Sequence, residues 1–141
     1  MRKYFYDVTF SYIDLCGDAH YFHIGYFSCL ENANHAIDSV KHQPGFDTSG
    51  GSFETTKIAV TFKENNVEKR GCTLYELSHE FLDDEGYDNF TIFGLFSTYD
   101  EALQCQRREE EKAPYRSFPD GFVLSEVKVD VIGWQEGFSS W

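Results

Sequence analysis

The sequence predicts an α+β protein made of two tandem β-β-α-β repeats, with mainly antiparallel sheet, one helix per repeat and a pseudo-twofold arrangement. Two observations lead there. Gly25-Tyr26-Phe27-Ser28 returns 69 residues later as Gly94-Leu95-Phe96-Ser97, and the same offset aligns Tyr6-Asp7-Val8-Thr9 with Tyr75-Glu76-Leu77-Ser78, Ala33 with Ala102, Phe53 with Phe122 and Val60 with Val129 without a gap. In each copy, two stretches with a period of two precede one with a helical period and then another with a period of two. A hairpin followed by a helix that returns to a strand gives mainly antiparallel sheet with the helix on one face. Six strands could form one continuous sheet or two packed sheets, and the repeat favours two.

The first strand is expected over Tyr4 to Tyr12, with Tyr4, Tyr6, Val8, Phe10 and Tyr12 on one face and Asp7, Thr9 and Ser11 on the other. Gly17 and Asp18 mark a hairpin turn, and Tyr21 to Phe27 pairs back on the first strand. Ser28 and Glu31 have the spacing of a capping box, which starts a helix whose stripe is Leu30, Ala33, Ala36, Ile37 and Val40. That helix runs to about His42, where Pro44-Gly45 stops it. After a glycine and serine loop, Phe53 to Phe62 returns as the third strand. Residues 1–62 thus make the first repeat, 63–71 a short polar linker and 72–141 the second repeat, with an aromatic tail, in one compact body.

In the second repeat Cys72 to Phe81 forms the first strand, with Tyr75, Leu77, His79 and Phe81 facing one way. Leu82 to Asn89 is an acidic loop and Phe90 to Phe96 the second strand. Ser97 or Thr98 caps the helix, with Asp100 or Glu101 at the reciprocal position. Gln106 and Glu109 stand where the first helix has Ile37 and Val40, so its later turns lack an apolar stripe. Its end, Arg107 to Lys112, reads as a solvated face. Phe122 to Ile132 is the last strand.

The chain carries 24 acidic and 12 basic residues, a formal net charge of −12, with 18% aromatic residues, too apolar for a disordered acidic tail. Lys and Arg are absent from Tyr4 to Val40 and again from Gly71 to Gln106. Such a field opposes binding to nucleic acid or to an anionic membrane, both of which need clustered cations, and favours a basic protein partner. No apolar run is long enough for a membrane span, and the N-terminus leads straight into strand pattern, so a cytoplasmic protein is expected. Cys16, Cys29, Cys72 and Cys105 are scattered without a CxxC pair and are expected to be reduced.

The second copy resembles a small bacterial domain family of unknown function. The residues that carry the resemblance are the His79-Glu80 strand end, the Gly94-Leu95-Phe96-Ser97 helix entry, the Gly121-Phe122 strand start and the Trp134-Gln135-Glu136-Gly137-Phe138 terminus. It spans roughly residues 73 to 138 and implies a fold unit, with no activity attached. The first copy departs from it, with Phe10-Ser11 in place of His79-Glu80 and Ser52-Phe53 in place of Gly121-Phe122.

No P-loop, GxGxxG or GxSxG motif is present. His79 lies on an apolar strand face while Glu80 points away from it, which favours a structural histidine over a general base. His20 and His23, with Cys16 upstream, sit three apart on a strand and so on opposite faces, whereas a metal site needs convergent ligands; neither metal nor cofactor is expected. What remains suits recognition: exposed carboxylates interleaved with aromatics at Glu80, Asp83, Asp84, Glu85, Tyr87 and Asp88, joined by Glu109 and Glu110 on the second helix. In overall character the chain resembles toxin-immunity proteins, which implies a non-enzymatic inhibitor that occludes the basic active site of a bacterial toxin such as a nuclease. Two alternatives stand beside it. A DNA mimic or anti-defence inhibitor would be displaced from its partner by DNA, and a ligand-binding or enzymatic domain in the cleft between the repeats would need His79.

Overall fold

A computed structural model of the chain describes residues 2–62 and 73–133. The expected linker at 63–71, Cys72 and the aromatic tail at 134–141 lie outside the described residues. The elements run β1 (Arg2–Ile13), β2 (Ala19–Phe27), α1 (Leu30–Val40), β3 (Ser52–Thr61), β4 (Thr73–Leu82), β5 (Asp88–Phe96), α2 (Tyr99–Glu109) and β6 (Phe122–Lys128), with 3-10 turns at Tyr115–Ser117 and Pro119–Gly121. The fold is α+β. Its strands form two antiparallel three-stranded sheets, ordered β2-β1-β3 and β5-β4-β6. Among the described residues, one compact unit comprises 3–59 with 128–133, and the other comprises Arg2, 60–62 and 73–127.

The bounds of β5 and α2 follow those of β2 and α1 by 69 residues. Both hairpins also skip one residue of the second strand: Val8 pairs Gly25 and Thr9 pairs His23, while Leu77 pairs Gly94 and Ser78 pairs Ile92. The skipped residues, Ile24 and Phe93, bulge out of the ladder. Ile24 is fully buried in the core of its unit, and Phe93 lies on the rings of Tyr115 and Phe122.

In the first unit, Val8, Phe10, Tyr12, Ile24 and Phe27 from the hairpin meet Ala33, Ala36 and Val40 of α1, closed over by Phe46. Phe10 is the centre of this cluster, 4.9 Å from the ring of Phe46 and 4.8 Å from that of Phe53. Leu30, assigned to the helical stripe, is instead 50% exposed at the first position of α1. Phe5 and Leu74 are also buried. They lie on the face opposite Val8 and Leu77, so neither strand has a purely solvated side.

Two local expectations are corrected. Ser28 does not cap α1. The N-cap is Cys29, whose Sγ accepts from the Asn32 amide at 3.4 Å. Ser28 is engaged elsewhere: its hydroxyl donates to the Asp130 carboxylate at 2.6 Å and its amide does so at 2.9 Å, while Asn32 Nδ2 donates at 3.1 Å. In α2 the cap is Thr98, which accepts from the Glu101 amide, and Glu101 in turn accepts from the Ser97 and Thr98 hydroxyls. The second correction is that the last strand ends at Lys128, short of Ile132. Asp130 adopts a left-handed φ of 64°, which breaks strand geometry. The amides of Asp130 and Gly133 then bond the carbonyls of Tyr26 and Ile24 at 2.8 and 2.6 Å.

Candidate functional site

The β4–β5 hairpin gathers most of the residues singled out from sequence, and an aspartate shapes its turn. Asp83 Oδ1 accepts from the amides of Glu85 and Tyr87, both at 3.0 Å, while Oδ2 accepts from Asn89 Nδ2 at 3.2 Å. Asp14 makes the matching set in the first hairpin, accepting from the amides of Cys16 and Asp18 and standing 2.7 Å from His20 Nε2. Side chains of this kind hold a turn by bonding the backbone two and four residues on. Asp83 is thus a positioning group for the tip. Asp84, Glu85, Tyr87 and Asp88 are exposed around it, as is Glu80 on β4. The two helix residues lie apart from this tip in the chain, at the end of α2. Glu109 is half-buried and paired with Lys112 at 3.2 Å, and Glu110 forms the C-cap, its amide bonded to Gln106.

The backbone amide of Tyr87, with the Asn89 side chain, holds the Asp83 carboxyl below the usual aspartate value of 3.8. Folding therefore favours the ionised form, and its contribution is complete above that value and lost as pH falls through the lowered folded-state value. Acidification is expected to loosen the tip, seen as loss of exchange protection at the Glu85 and Tyr87 amides. Asp83→Asn should remove that acid dependence and leave the tip less protected at neutral pH.

His79 is buried at the centre of the second unit. Its Nε2 lies 2.8 Å from the Phe118 carbonyl, and Tyr115 and Phe122 pack edge-on at 4.8 and 4.5 Å. Nε2 carries a proton and donates it to that carbonyl, while Nδ1 has no hydrogen-bond partner among the described residues. A general base needs a reacting proton within reach, and rings surround this one. The remaining histidines of interest are committed separately, His20 to Asp14 and His23 to Asp7 at 2.8 Å. Among the described residues no three His, Cys, Asp or Glu side chains are grouped to hold a metal ion.

The first unit has a larger and a smaller cleft among its described residues. The larger, about 350 Å³, is lined by hydroxyls and glycine backbone, including Ser11, Tyr21, Ser49 and Ser52, with no acid or histidine. The smaller, about 210 Å³, holds His35 and Asp130, but the Asp130 carboxylate is taken up by Ser28 and Asn32. Neither pairs a nucleophile with a base. Among the described residues no helix is long and apolar enough to cross a membrane.

Comparison with family models, with curated proteins and with solved structures finds no match to this chain.

Proposed function

We propose that this chain is a diverged tandem duplication that works as an acidic protein-binding inhibitor in the bacterial cytoplasm. In this reading it is an immunity protein that occludes the active site of a basic toxin. The observation that carries it is the β4–β5 tip, where Asp84, Glu85, Tyr87 and Asp88 are exposed around a turn already fixed by Asp83. Carboxylates held this way pay little ordering entropy on binding, and a field without nearby cations steers a basic partner. Tyr87, 67% exposed, supplies an aromatic anchor beside the charges. Glu109 and Glu110 enlarge the acidic surface only modestly, since Lys112 offsets Glu109.

The test is the association rate with a basic toxin domain encoded beside the chain's own gene. One-to-one binding is expected, with an on-rate that falls as salt rises. Reversing Asp84, Glu85 and Asp88 to lysine together should slow association at least about tenfold at low salt while the fold is retained. An unchanged on-rate would exclude the tip as the steering surface.

A further inference from the structure

The pairing of β4 with β5 sets Ser78 opposite Ile92, Glu80 opposite Phe90 and Leu82 opposite Asp88. Directly opposed residues share a sheet face. His79, between Ser78 and Glu80, points the other way, into the rings of Tyr115 and Phe122. Ser78 on this face is buried, but toward the hairpin tip the face is open and apolar: Leu82 is 61% exposed, Phe90 59% and Ile92 50%. On β6, Phe122 packs on His79, so alternation turns its neighbour Val123, 50% exposed, to the same outward side. Leu82, Phe90 and Ile92, with Val123 on β6, form a patch, where single exposed residues would need no explanation.

Glu80 stands in the middle of this patch and, among the described residues, makes no ion pair. Phe90 flanks it on β5. Glu80 itself is exposed. The first sheet has no equivalent. Its matching pairs are Thr9 with His23, Ser11 with Tyr21 and Ile13 with Ala19, and no carboxylate occurs among them.

Building on the reading of the chain as an acidic protein binder, we infer that this face is the docking surface. Its occupant is a basic protein that lays an arginine or lysine head on Glu80 across the Phe90 ring, with aliphatic neighbours on Leu82, Ile92 and Val123. A cation over an aromatic face and beside a carboxylate gains from both, and more once the surrounding apolar contacts exclude water. Charge selects this occupant over others. A second copy, at −12, would bring like charge to Glu80, and a nucleic acid would do the same.

The experiment pans a displayed library of random peptides on the full chain and measures the enriched peptides against Glu80→Gln, Phe90→Ser and the lysine-reversed tip. The supporting result is enrichment of peptides with Arg or Lys flanked by aliphatic residues, weakened at least about tenfold by either face variant. Basic peptides that tolerate both face variants but are weakened by the tip reversal would overturn the sheet face and leave the acidic-binder reading intact. Enrichment of peptides without Arg or Lys, or no enrichment, would overturn the inference. So would sedimentation showing a dimer that Phe90→Ser dissolves. Both side chains are exposed, so an unchanged unfolding midpoint is expected for each variant and separates binding from folding.

Discussion

Phe10→Ala is expected to cost about 3–5 kcal/mol, the largest loss from any single truncation in the first unit, because it removes the ring at the centre of a buried cluster. Phe10 is 1% exposed and faces Phe46 and Phe53, while Tyr12 lies 6.5 Å away. Those side chains come from β1, β3 and the loop after α1, so the cavity cannot be closed by one of them moving alone. His79 occupies the matching place in the second unit, and His79→Ala should empty it in the same way while also removing the donor to Phe118. Tyr21→Ala serves as the control, since Tyr21 is 76% exposed and its loss should fall within about 0.5 kcal/mol. Guanidinium unfolding gives the size of each effect. Hydrogen exchange gives its place, with protection lost first around β1 for Phe10→Ala and around β4 for His79→Ala. A His79→Ala chain that kept full stability would mean that the ring is not part of the core.

Phe10 and His79 show how far the sequence could be read. The offset that aligns Gly25 with Gly94 also aligns this pair, and alternation put both on the buried face of their strands, so the core position was legible while the partner of the imidazole was not. That partner is the Phe118 carbonyl, between the two 3-10 turns, and local irregular backbone leaves no periodic trace in residue types. The same limit explains Ser28. A Ser-x-x-Glu spacing is a sound cap signal, but a carboxylate about a hundred residues away in the chain outbid the backbone amides for the hydroxyl. The end of the last strand was misplaced because Asp130 takes a left-handed φ that its residue type permits without requiring.

The candidate surface divides in the same way. The acidic tip was legible from composition and from the long gap in lysine and arginine. The apolar face beside it was not, because Phe90 to Phe96 reads as one apolar run. The bulge at Phe93 divides that run into a stretch whose Phe90 and Ile92 face outward with Glu80 and a remainder with another phase. One skipped residue decides which side chains the face presents. A sequence pattern that counts by twos cannot register it.

Gly121→Ala and Gly51→Ala are each expected to cost more than about 3 kcal/mol, beyond the ordinary cost of overpacking, because the added methyl would meet backbone. At Gly121 a Cβ would fall against the Glu80 carbonyl oxygen and 2.7 Å from His79 Nε2; at Gly51 it would fall against the Ser11 carbonyl oxygen and 2.6 Å from Phe10 Cζ. Ser11 and Glu80 are 69 residues apart, whereas Gly51 and Gly121 are 70 apart, so the ungapped alignment sets Ser52 against Gly121 and hides the correspondence. The requirement is spatial: whichever residue crosses the end of β1 or β4 must lack a side chain. Gly86→Ala separates this steric cause from backbone conformation. Gly86 has a φ of 84° with nothing near its missing Cβ, so only the left-handed conformation opposes alanine there, at about 1–2 kcal/mol. Urea unfolding midpoints for the three variants should therefore fall in two groups, Gly86→Ala mild and the other two severe. If Gly121→Ala were no worse than Gly86→Ala, Gly121 would have to lie farther from the Glu80 carbonyl and the His79 ring than described.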